Sequence, residues 1–233
     1  MDNAPAPADP PRRPADSNVQ IVLRPLASAL PLGFFAFGVG TMLLTGLELE
    51  WIPAVETTQI SLILLCFVAP LQLASCLLAF AARDGGAGTA LGLFGGTWTA
   101  VGTTFLSLPP GTTSKALGVF MCALVVPLLA LALGAATGKP VLAGVLLLGA
   151  ARFGLTGVYE LAATRWPATV SGWLGLPLAA LAGYFGLALL IEDAQGRTVL
   201  PLLRRGAARK ALEAPFEDQV AHLHHEAGVR GQL

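Results

Sequence analysis

Long stretches of this chain carry no charge, and this constrains its fold more than any other feature. Residues 25–47 hold no Asp, Glu, Lys or Arg, and neither do 57–82, 85–114, 116–138, 140–151 or 166–191. Five of these windows exceed the roughly 20 residues that an α-helix needs to cross a hydrocarbon core of about 30 Å. The sixth, 140–151, continues as an apolar run through Arg152 to Glu160. We expect an all-α membrane protein with six transmembrane helices, at about 27–47, 57–82, 88–108, 114–137, 141–164 and 171–191. Together they form one domain over 25–192. Hydrophobic residues make up 55% of the chain and charged residues 12%, against about 25% charged in a soluble domain. Such a chain cannot cover a water-soluble surface. The composition excludes a nucleic-acid binder, a disordered chain and an ordinary cytosolic enzyme.

The charges that remain are sorted by side. Residues 1–24 are rich in Pro, Ala and Asp and read as a disordered tail without a cleavable signal; 193–233 read as a polar C-terminal tail. With the N-terminus inside, the inner segments hold eleven basic residues and the outer loops two, Lys115 and Arg165. The positive-inside rule then places both termini in the cytoplasm, which requires an even number of spans. The chain is expected in the cell (plasma or inner) membrane. Arg204, Arg205, Arg209 and Lys210 read as contacts to anionic lipid headgroups. The first outer loop, ELEWIPAVE, carries Glu48, Glu50 and Glu56 beside the interfacial Trp51.

Connections this short leave no room for a soluble catalytic domain. No metalloprotease, hydrolase, nucleotide-binding or zinc motif is present, so no enzyme activity, cofactor or metal is expected. His222, His224 and His225 form an HLHH cluster, but a flexible tail lacks the supporting shell of a metal site. Cys66, Cys76 and Cys122 lie in apolar spans and read as buried small hydrophobes. Gly134 and Gly138 form a GxxxG that reads as tight packing within the chain. Pro70 and Pro127 should kink spans 2 and 4.

Several stretches resemble the acetate uptake transporter family, the succinate–acetate permeases of the SatP/YaaH group. Pro31-Leu32-Gly33 keeps the core of that family's NPAPLGL signature, and Phe35-Ala36-Phe37-Gly38 follows as its FG pattern. Gln72 falls on a family Gln, and Trp98 on a Trp of span 3. Gly172-Trp173-Leu174-Gly175-Leu176 opens span 6, Tyr184 lies inside it, and Gly196-Arg197-Thr198-Val199-Leu200-Pro201 follows it. The resemblance covers roughly residues 27–201. It implies a hexamer in which each protomer carries its own pore for acetate, succinate and similar small carboxylates. It also implies uptake coupled to protons, and a hydrophobic gate of Phe, Tyr and Leu from spans 1, 3 and 5. On this chain the gate positions are Phe37, Phe94, and Gly149 or, with a one-residue slip, Leu148.

Arg152 stands about twelve residues into span 5. An Arg there costs about 2.5–3.5 kcal/mol on insertion scales and needs protein or water around it. Thr156 and Glu160 follow at four-residue steps, so the three form a polar ladder on one helix face. Two readings stand side by side. In one, Arg152 is an anion-attracting site in the pore. In the other, it forms an ion pair with Glu160 or a contact between protomers. Glu160 is also a candidate proton site. Gln72 is a buried amide that needs a partner. Thr97, Thr99, Thr103 and Thr104 could meet a carboxylate, or bond their own helix carbonyls.

The expected function is channel-like transport of acetate and related short carboxylates, without ATP. One alternative keeps the architecture and changes the cargo to a neutral amide, ammonia or another organic acid. A second is a non-transporting membrane sensor or scaffold. The expected partners are a small carboxylate, the lipid bilayer and further copies of the chain, with no nucleic acid.

Overall fold

The computed structural model describes residues 27–206. The N-terminal tail, the HLHH cluster, Arg209 and Lys210 lie outside the described residues. Six helices follow one another: α1 (Leu30–Glu48), α2 (Ala54–Ala81), α3 (Gly85–Ser107), α4 (Lys115–Ala136), α5 (Pro140–Ala162) and α6 (Arg165–Gln195). No strand occurs among the described residues. Five of the helices are long and apolar enough to cross a membrane. The other, α3, has 23 residues, but its many glycines and threonines lower its hydropathy. The last helix begins before and ends after the charge-free window, because Arg165 and Glu192 are drawn into its two ends.

Local chemistry sets the helix ends. Pro31 and Pro140 sit in the first turns of α1 and α5, where a missing N–H costs nothing. Asp84 and Ser114 accept from the backbone N–H of Ala87 and Leu117 and so cap α3 and α4. Gly196 closes α6 in the left-handed conformation, at φ +64°. Pro70 in α2 offers no N–H to the carbonyl of Cys66. Just before it the helix widens into a π segment, Leu64–Val68. Pro127 and Pro177 lie within α4 and α6.

The helices close a ring. α1 packs on α6, α6 on α5, α5 on α4, α2 on α3 and α1 on α2, and a sparser α3–α4 contact completes the circle. Small residues set the closest approaches. A Cβ on Gly157 would lie 2.9 Å from the Gly118 carbonyl oxygen, and one on Gly118 would lie 3.0 Å from that of Gly157. Backbone therefore meets backbone where α4 crosses α5. The GxxxG at Gly134 is not such a seam, since nothing lies within 4 Å of the position a Gly134 Cβ would take. The cysteines also differ from expectation: all three are free, Cys76 is buried, Cys122 partly so, and Cys66 is exposed on the outside of the bundle. That outer surface is apolar, with Leu77, Leu133, Val126 and Val119 all exposed, as suits contact with lipid tails rather than water.

After α6 the chain folds back beneath the bundle. Tyr184 donates its hydroxyl to the Pro201 carbonyl at 2.8 Å, and Leu202 is buried in the core. Arg204 pairs with Glu192 at 2.6 Å, and the Arg205 N–H donates to the Gly138 carbonyl.

Candidate functional site

Two cavities enter the ring from opposite ends. The near cavity, about 750 Å³, opens at the end that holds Leu30, the α2–α3 turn and the α4–α5 turn. Leu30, Gln72, Phe94, Leu131, Val145 and Phe185 line it, one residue from each helix. The far cavity, about 440 Å³, opens at the α1–α2, α3–α4 and α5–α6 connections. Leu44, Thr57, Val101, Met121, Thr156 and Ala168 line it, again one from each helix. The cavities therefore occupy the two mouths of one ring, and the stretch between them is packed shut.

Aromatic rings stand where the near cavity ends: Phe37 and Phe94 line it, and the buried Trp98 and Phe153 behind them line neither cavity. The ring centroids of Phe37 and Phe94 stand 4.5 Å apart, and those of Phe37 and Trp98 stand 5.9 Å apart. Phe153 meets Phe94 edge to face at 5.9 Å. The two aromatic positions of the expected gate thus come together from α1 and α3. The two candidates for the third position differ in their surroundings. A Cβ on Gly149 would lie 3.9 Å from the Phe94 ring, so Gly149 faces the seal, while Leu148 is half-buried against the surrounding core. Phe153, one turn beyond Gly149, supplies bulk there that the resemblance does not reveal. Its four-residue spacing from Gly149 is the signal that would have found it.

Gln72 is fully buried and holds this seal in place. Its Nε2 donates to the Gly33 carbonyl at 3.1 Å, and its Oε1 accepts from Trp98 Nε1 at 2.6 Å. One amide thereby ties α1 and α3 to α2. Gly40 makes room for this arrangement, since a Cβ there would approach the Trp98 ring at 3.2 Å. Pro31 and Gly33 are buried at the start of α1, whereas Leu32 and Trp173 lie exposed on the bundle surface.

The polar ladder on α5 divides. Arg152 is 1% exposed and lines neither cavity. Its Nη2 donates to a Glu48 carboxylate oxygen at 2.6 Å, and its Nε donates to the Ser171 carbonyl at 3.3 Å. Thr156 and Ser171 donate to the other Glu48 oxygen, each at 2.9 Å. This corrects two expectations. The ion-pair partner of Arg152 is Glu48 rather than Glu160. Glu48, expected in the first outer loop, is instead the final residue of α1 and is buried. A direct contact between Arg152 and a passing anion is not what this geometry offers, because Glu48 already meets the guanidinium. Gly175 gives α6 the clearance for this cluster: a Cβ there would run into the Thr45 hydroxyl and lie 3.0 Å from Arg152 Nε.

Glu160 lines the far cavity with Thr156 and Glu48. Its carboxylate accepts from the Ser114 backbone N–H at 2.6 Å, which pins the start of α4 to α5. Arg165 pairs with Glu50 at 2.6 Å on the rim. The α3 hydroxyls are committed to their own helix: Thr97, Thr99, Thr103 and Thr104 each donate to the carbonyl four residues back. Among the described residues no cluster of His, Cys, Asp and Glu could hold a metal ion.

No protein-family profile matches the chain, and no curated protein matches it by sequence. A solved structure described as that of the bacterial acetate channel SatP matches with a TM-score of 0.68 and 25% sequence identity. The match covers 76% of this chain and 99% of that one. The likeness supports a transmembrane channel for small solutes. The chain is an all-helical membrane protein with a SatP-like channel fold.

Proposed function

We propose that the chain is a passive channel for acetate and related short carboxylic acids, each crossing together with a proton. The aromatic seal of Phe37, Phe94 and Phe153 between two cavities carries this reading. A seal of this kind admits small solutes and penalises charge, because an ion that enters it must leave its water behind. The nearby cation supplies no compensation, since Arg152 is paired with Glu48. A carboxylate that takes up a proton loses that penalty. The larger, mostly apolar near cavity and the more polar far cavity give the solute a place to shed and regain water. Opposed mouths with a seal between them suit flux down a gradient, with no nucleotide or cofactor. The bias of basic residues supports a multi-pass protein of the cell membrane with both termini cytoplasmic, and the resemblance supports assembly as a hexamer.

The test is flux into liposomes that hold the purified protein. Labelled acetate should enter faster than into protein-free liposomes, and an inward proton gradient should speed it. Acetate entry no faster than into empty liposomes would end this reading. A second reading keeps the channel and changes the cargo to ammonia or a small amide. Gly149 and Phe94 favour it, because the expected gate here has lost its Tyr hydroxyl and its Leu. Urea and succinate in the same assay separate the two.

A further inference from the structure

Among the described residues, Thr41 Oγ1 is the one buried side-chain oxygen or nitrogen without a hydrogen-bond partner in the protein. Thr41 is fully buried in α1. Its isolation is unusual for this molecule. Ser61, Ser75, Thr97 and Thr99 all sit within helices, and each donates to the carbonyl four residues back. A threonine in a helix has that carbonyl within easy reach. Leaving a buried hydroxyl unpaired costs free energy, so its retention needs a reason.

Its place in the ring supplies one. Phe37 lines the near cavity, and Leu44 and Glu48 line the far cavity. Thr41 lies four residues after Phe37 and seven before Glu48, so helical register sets it on the same face of α1 between them. It lines neither cavity and falls in the sealed stretch. The polar side chains around that stretch are already engaged: Gln72 with Trp98 and Gly33, and Thr45 and Glu48 with Arg152.

We propose that Thr41 is the hydrogen-bonding contact for the solute as it passes the aromatic seal, and thus a specificity-determining residue of the channel. A hydroxyl both donates and accepts. It can give its proton to a carbonyl oxygen and receive one from an acid O–H or an amide N–H. The solute it favours is a small uncharged molecule with a carboxyl or amide group. An ion gains less here, because one hydroxyl replaces little of a hydration shell. This inference rests on the channel reading above and adds the group that meets the cargo.

The experiment measures labelled acetate flux into liposomes carrying the full chain, Thr41→Val, Thr41→Ser or Thr41→Ala. Thr41→Val keeps the shape and removes the hydroxyl. Its acetate flux should fall about three- to tenfold, the loss of one neutral hydrogen bond. Thr41→Ser should stay within about twofold of the parent, and Thr41→Ala should resemble Thr41→Val. Thr41→Val should also unfold in detergent at the same temperature as the parent or higher, since no protein contact is lost. Flux in Thr41→Val equal to that of the parent overturns the proposal and leaves the channel reading standing. So does Thr41→Ser falling as low as Thr41→Val, or a clear loss of heat stability in Thr41→Val, which assigns the hydroxyl a structural role. Absence of acetate flux in the parent chain overturns the channel reading, and this proposal with it.

Discussion

At the residue scale, the Arg152–Glu48 pair shows how neutralisation decides what a buried charge does. Each group alone would be intolerable in the bundle. Together, with Thr156 and Ser171 on the second Glu48 oxygen, they satisfy one another. Removing one partner leaves the other buried and unpaired, at a cost of about 3–5 kcal/mol. Arg152→Leu and Glu48→Leu should therefore each lower unfolding stability in detergent by about that amount. The double substitution should recover most of the loss, and additive losses would show that the two groups do not interact. Gln72 has a related role without charge. Gln72→Leu orphans the Trp98 N–H, a cost of about 1–3 kcal/mol, and removes the extra bond to the Gly33 carbonyl, which keeps its place in the α1 helix. Trp98 fluorescence, read with Trp51, Trp166 and Trp173 replaced by Phe, should broaden in that variant. Arg152 and Gln72 were both legible in the sequence as polar groups needing partners. The partners were not, because Glu48 lies 104 residues from Arg152 in the chain and Trp98 lies 26 from Gln72.

At the element scale, the six helices follow from the charge-free windows, and their ends from Pro, Gly, Asp and Ser at the caps. What each helix packs against follows from small residues. Gly118 and Gly157 let α4 and α5 touch through their backbones. Gly157→Val puts a side chain against the Gly118 carbonyl and should cost at least about 1–3 kcal/mol, the range for overpacking. Gly134→Ala meets nothing and should leave the unfolding temperature unchanged or raise it. Equal effects of the two would mean that the α4–α5 crossing is not where the structure puts it. A pattern search sees both glycines alike, and the GxxxG spacing even favours Gly134. Packing distinguishes them, because only one of the two faces another helix. The segment after α6 makes the same point. Leu202 lies beyond the last apolar window, yet it is buried in the core. Leu202→Ala should cost about 2–5 kcal/mol in stability, like other large-to-small core changes.

At the scale of the whole molecule, the proposed channel depends on the ring closing around one axis. Two mouths and a seal exist only because α1, α3 and α5 bring Phe37, Phe94 and Phe153 to one level. Phe94→Ala removes the ring that touches both others and should open the seal. The expected result is faster flux for larger acids, with succinate gaining about tenfold or more relative to acetate, an estimate from the size dependence of apolar pockets. An unchanged succinate-to-acetate ratio would place the selective step elsewhere. The amino-acid order by itself pointed to a multi-pass helical membrane protein and to roughly where each helix lies, although α6 runs over Arg165–Gln195, beyond the expected 171–191 at both ends. These depend on local hydropathy, capping and turn chemistry, which act over a few residues. It also carried Phe37 and Phe94 through a resemblance. Only the tertiary structure decided that Gly149 rather than Leu148 faces Phe94, that Phe153 meets Phe94 as well, that Glu48 takes Arg152, and that Thr41 is left without a partner. Those outcomes depend on how rods far apart in the chain rotate against one another. Nearly every residue within a lipid-spanning helix is apolar or small, so its sequence hardly marks which face turns inward.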